Sequence, residues 1–227
     1  MEPPAIPLPP APRLAPAAGD PDRSATRRRA MLDAARELFL ERGFEGTSVV
    51  DVVRRSGGSL ATLYHWFGSK EGLFEAIADE VGAEIVAPLD APDFEDLPLE
   101  EALTQFGRSF LERVLCARSA AWHRMCVAEG MKFPELRAAL LRSGPGRVRE
   151  RLGAYLAAQA AAGRLRVEDP QAAALQFLAV LKSESQLALV CGEAIDVGPA
   201  EIARQVARGV DLFLYGCAKR RPSRSAR

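Results

Sequence analysis

From Ser24 onward, apolar residues recur at spacings of three and four. Met31, Ala34, Ala35, Leu38 and Phe39 fall on one face. Arg27, Arg28 and Arg29 lie ahead of them, and Arg36, Glu37 and Glu41 occupy the other side. This pattern predicts an amphipathic helix closed by Gly43. A shorter helix is predicted from Thr47 or Ser48, whose hydroxyls suit a cap, burying Val49, Val52 and Val53 before Gly57-Gly58. Ser59 opens a third helix to Phe67, with Leu63 and Phe67 on its inner face. Ser69 opens a longer fourth through Leu73, Phe74, Ile77 and Val81. Short helices joined by a tight glycine turn have helix-turn-helix geometry.

The acid- and proline-rich stretch 88–98 reads as a connection between two helical blocks. Beyond it, helices are predicted over 99–118 and 119–131, then over 135–162 with a bend near Gly144-Pro145-Gly146. Asp169-Pro170 opens another to Val190, and Gly198-Pro199 the last, to about Ala218. No β-period appears, so the expected fold is all-α. The domains read as a tail over 1–23, a helix-turn-helix unit over 25–85, a second helical domain over 86–218 and a basic end over 219–227.

Composition adds few exclusions. The 227 residues are 48% hydrophobic and 26% charged, an ordinary globular balance. Thirty basic and thirty acidic side chains cancel, so net charge points to no partner. Of 16 prolines, 8 fall within residues 1–21, a stretch expected to be disordered. The last nine residues carry five basic groups and read as a solvated end. No apolar run of about 18 residues appears, so no membrane span is expected, and no secretory signal is seen. The 4 cysteines lack CxxC spacing and read as reduced thiols in a cytoplasmic protein. Fingerprints for nucleotide cofactors, P-loops or hydrolases are missing, so neither enzyme activity nor a cofactor is expected.

The segment TSVVDVVRRSGGSLATLYHWFGSKEGLF, residues 47–74, resembles the DNA-binding region of the TetR/AcrR family of bacterial transcription regulators. The matching pieces are Ala35, Leu38 and Phe39 with Gly43-Phe44, then Thr47-Ser48-Val49. Thr62-Leu63-Tyr64-His65 with Phe67, and Ser69-Lys70-Glu71, complete the match, which extends over about 25–85. On a helix lying in the major groove, Leu63 and Phe67 face inward while Leu60, Ala61, Tyr64 and His65 face outward. Thr62, Tyr64 and His65 have donors for phosphates or base edges, and the resemblance implies that these positions contact DNA. Ser48 offers a hydroxyl and a backbone N–H to the flanking strand. Lys70, at a helix N-terminus, suits a phosphate. Relatives often carry arginine at position 50 and a polar or basic residue at position 60; here these are Val50 and Leu60. Leu60 is suited to a thymine methyl rather than to a hydrogen bond, and Arg54 and Arg55 are candidates to compensate.

The second block resembles the ligand-binding and dimerisation region of the same family, with VAEGMKFPEL at 127–136 as its most similar run. The resemblance implies a homodimer formed by the helices near 170–190 and 199–218. The expected interface stripes are Leu175, Leu178, Leu181 and Val190, then Ile202, Val206, Val210, Phe213 and Leu214. Phe106, Phe110, Trp122, Met125, Phe177 and Leu181 are candidates to line a pocket for a small hydrophobic ligand. Gln105, His123, Arg124, Glu129, Gln176 and Gln186 are candidate polar selectors. The implied function is a repressor on a near-palindromic double-stranded DNA operator, released by that ligand. The alternatives are a metal- or thiol-responsive regulator built around His123, Cys126 and Cys116, or a helical enzyme. Typical zinc sites need three or four ligands, and the chain has 2 histidines, so no metal site is expected.

Overall fold

The computed structural model describes residues 21–216, and every regular element in them is helical. The predicted tail up to residue 20 and the basic end lie outside the described residues. Residues 21–23, expected to be part of the tail, instead form the first turn of α1 (Pro21–Arg42). Proline suits that position because the first helical N–H has no partner in the helix.

The helix-turn-helix unit, called the reading unit below, continues with α2 (Val49–Ser56), α3 (Leu60–Phe67) and α4 (Lys70–Val86). Each is opened by the serine expected of it. The side chains of Ser48, Ser59 and Ser69 accept from the backbone N–H of Asp51, Thr62 and Gly72, each cap worth about 1 kcal/mol. Gly57 turns the chain at φ 72°, a conformation that favours glycine. The next residue, Gly58, has Met31 where a Cβ would stand, so the α2–α3 turn lies hard against α1.

Stretch 88–98 connects the two blocks, as expected, and is itself packed. A 3-10 turn at Ala87–Asp90 buries Leu89, and Phe94 inserts edge-on against Tyr155 at 5.2 Å. The second block comprises α5 (Leu99–Val114), α6 (Ala117–Gly130), α7 (Pro134–Arg142), α8 (Gly144–Ala161), α9 (Pro170–Lys182), α10 (Ser185–Cys191) and α11 (Pro199–Tyr215). The single bent helix expected over 135–162 is two helices separated at Ser143.

The single helix expected to Val190 is also two, meeting at 61°. The break falls at Ser183, where φ is 49° on a residue with a Cβ. Gln205 of α11 satisfies the carbonyls this leaves, its Nε2 donating to Leu181 O at 2.6 Å and Lys182 O at 3.2 Å. No single helix among the described residues is long and apolar enough to cross a membrane; only the bent pair α9–α10 meets the length and composition.

Two apolar cores result. The first joins α1–α4 to Cys126, Leu136 and Ala139 of α6 and α7. The boundary expected at 85 therefore does not separate independent cores. The second lies among α4, α5, α8, α9 and α11. Gly107 of α5 and Gly209 of α11 both approach the Leu181 side chain, which seals the middle of that core.

Candidate nucleic-acid interface and effector cavity

α3 presents the face its sequence predicts. Leu63 and Phe67 are buried, whereas Leu60 is 40% and Tyr64 50% exposed, with Ala61 and His65 beside them. Bulky residues this open, on a helix whose other side is fully packed, form a surface able to enter a groove. Thr62 is half-buried, and its hydroxyl lies 2.8 Å from that of Ser59.

Other predicted contact residues are engaged inside the protein. The Ser48 hydroxyl donates to the Asp51 carboxylate at 2.6 Å, which also accepts from the Ser48 backbone N–H at 3.3 Å. Both groups expected to meet the flanking strand thus serve the capping box, and the two hydrogen bonds from Ser48 hold the Asp51 carboxyl below its usual range. The Lys70 ammonium donates to Phe44 O at 2.9 Å and Thr47 O at 3.1 Å, and lies 4.2 Å from the centre of the Phe44 ring. It fastens the α1–α2 loop instead of standing free for a phosphate. Arg55 forms a paired contact with Glu41 at 2.8 and 2.9 Å, tying α2 to α1. Arg54 meets Asp51 at 3.2 Å.

The second block contains a cavity of about 210 Å³. Its apolar wall includes Val81 and Ile85 of α4, Phe110 of α5, Trp122 of α6, Val148 of α8 and Leu178 of α9. Of the six expected lining residues, Phe110 and Trp122 are there. Phe106, Phe177 and Leu181 are fully buried in the second core, and Met125 packs on the first. Aromatic spacing pointed to α5, α6 and α9, which border this cavity, but not to α4 and α8 or to the faces that stay open. Of the expected selectors, His123 and Gln186 reach the cavity. Arg124 instead donates to Leu189 O at 2.8 Å, Glu129 lies against Gly43, and Gln176 lines a separate surface groove. Gln105 is absent from the cavity wall as well.

Sequence reasoning missed Lys182, Ser119 and the crossing of α4 over α8. At that crossing a Cβ on Gly82 would stand 3.1 Å from the Gly144 backbone, and Gly144 itself borders the cavity. Glycine on the predicted fourth helix and at the predicted bend of 135–162 was the available signal. His123 and Cys126 are divided between the cavity and the first core. Burial pushes the Cys126 thiol up to about 12.

Trp122 belongs to both regions. It lines the cavity and stacks on Phe74 of α4, ring centres 4.9 Å apart.

Residues 31–77 match the family model of bacterial regulatory proteins of the tetR family, and residues 101–217 match that of the AefR-like transcriptional repressor C-terminal domain. The chain is a TetR-family transcriptional regulator. ComR, a transcriptional repressor of Escherichia coli K12, is 40% identical over 80 residues, covering 35% of this chain and 38% of ComR. UidR of the same strain is 32% identical over 114 residues, 48% of this chain and 55% of UidR. The matched segment thus spans about half or less of these curated relatives. A solved structure, the flavonoid-responsive regulator FrrA, superposes with a TM-score of 0.69 at 32% identity, covering 87% of this TetR-family chain and 100% of that one.

Proposed function

We propose that this regulator acts in the cytoplasm as a homodimeric repressor, seating α3 of each subunit in a major groove of a near-palindromic operator. Leu60, Ala61, Tyr64 and His65 read base edges, and Thr62 approaches the backbone. An apolar effector enters the cavity and favours an arrangement of α4 and α6 in which the two reading helices no longer match the groove spacing. The observation that carries this reading is Trp122, which gives the cavity and the reading unit a common wall. An effector that binds the two arrangements with a difference of about 1–3 kcal/mol shifts operator affinity by about 5- to 150-fold.

The exposed apolar residues Leu187 of α10 and Leu212 of α11 support association through these helices. Most of the expected stripe is committed elsewhere: Leu178, Leu181, Ile202, Val206 and Val210 are buried within one subunit. The test is selection from randomised duplexes. Wild type should enrich a two-half-site sequence, and Tyr64→Ala should lose preference within each half-site while melting normally. Failure of the wild type to enrich any sequence would overturn the reading.

A further inference from the structure

The polar groups of the 210 Å³ cavity are unbalanced in charge. Ser119, His123, Lys182 and Gln186 are its polar side chains, and no carboxylate belongs to the wall. Three of the five acids on the neighbouring α4 are matched elsewhere, Glu75 with Arg142, Glu80 with Arg36 and Glu84 with Arg113, and neither of the other two, Glu71 and Asp79, lines the cavity. Lys182 has no hydrogen-bond or ion-pair partner for its ammonium among the described residues. It is the last residue of α9, half-buried, with the chain turning sharply behind it at Ser183.

We propose that the cavity takes an organic anion, a single apolar ring bearing one negatively charged oxygen group. The charge lies against Lys182 and the ring against Phe110, Trp122 and Leu178. The proposal rests on the cavity being the effector site and adds the charge and size of what enters it. Size follows from volume: a cavity of roughly 150 Å³ holds benzene, so 210 Å³ accommodates one ring and a small substituent. Charge follows from the wall. Burial disfavours the Lys182 ammonium, and a bound anion relieves that cost. Burial first, and then the charge of Lys182, lowers the His123 pKa, leaving a neutral imidazole with one N–H to donate. Gln186 and Ser119 supply further neutral donors.

Calorimetric titration of the full chain with 4-ethylbenzoate, neutral 4-ethylbenzamide and 4-nitrophenolate tests this. The benzoate should bind wild type at least about tenfold tighter than the amide. Lys182→Met should abolish that preference by weakening the anion alone, and Lys182→Arg should retain it. An unchanged amide affinity in Lys182→Met excludes a folding defect as the cause. A preference for the benzoate but not the phenolate identifies a carboxylate; a preference for both identifies charge. Equal binding of benzoate and amide to wild type, or a preference that survives Lys182→Met, overturns the proposal. If only neutral or larger apolar compounds bind and displace the operator, the anion inference fails while the effector-site reading stands. If no compound binds, both fail.

Discussion

Two hydrogen bonds from Lys70 hold the carbonyls of Phe44 and Thr47 at the end of the α1–α2 loop. Removing a charged donor from such a site costs about 1–3 kcal/mol. Lys70→Met should therefore lower thermal stability, and operator binding should weaken without a change in its salt dependence. A salt slope reduced by about one counterion would return Lys70 to the phosphate backbone. Cys126 makes a different prediction. Its thiol is raised from 9.0 to about 12, so the folded state holds this proton more tightly than the unfolded one. The stabilisation is fully present below pH 9 and is lost as pH climbs toward 12. Urea unfolding at stepped pH should show this alkaline loss in wild type and less of it in Cys126→Ala. Alkylation at neutral pH should label the exposed Cys116 and Cys191 and spare Cys126.

At the scale of elements, the serine caps and the α3 face were legible because each depends on residues within a few positions. The break between α9 and α10 was not. The run AAALQFLAVLKSESQLALV has unbroken helical periodicity and no glycine or proline. What stabilises its interruption is Gln205, which follows it in sequence and reaches it only in the folded subunit. Gln205→Leu should leave those carbonyls without a donor and cost about 1–3 kcal/mol in denaturant unfolding. The cavity was half legible for a similar reason. Spacing assigns Phe106 and Phe110 to the same side of α5, but the approach of other helices decides that Phe106 is enclosed and Phe110 borders open space. The proline-rich connection does join the two blocks, but its packing through Leu89 and Phe94 was not legible, since it depends on Tyr155 far along the chain. The α4–α8 crossing yields another expectation. Gly82→Ala places a methyl group against the Gly144 backbone, which should cost about 1–3 kcal/mol and displace α4. Operator affinity should fall without effector, measured by fluorescence polarisation of a labelled duplex.

For the whole molecule, the proposed assembly depends on surfaces that a single subunit leaves open. Leu187 is 65% exposed, whereas Val210 is 2% exposed. Charges at Leu187 and Leu212 should thus give folded monomers by light scattering, while a charge at Val210 should unfold the subunit. A Leu187→Glu/Leu212→Glu variant that remains dimeric would place the interface elsewhere. The distribution of the two tryptophans has one more consequence. Trp66 lies on the helix that presents the reading face, beside Phe67, and Trp122 lies in the cavity wall. The indoles thus sit on α3 and in the cavity wall, and the fold supplies two intrinsic fluorophores in different surroundings. With Trp66 replaced by phenylalanine, emission reports events in the cavity; with Trp122 replaced, it reports those at the reading head. Stopped-flow emission from the Trp66→Phe form would time events in the cavity, and loss of any effector response at Trp66 in the Trp122→Phe form would show that Trp122 carries the coupling.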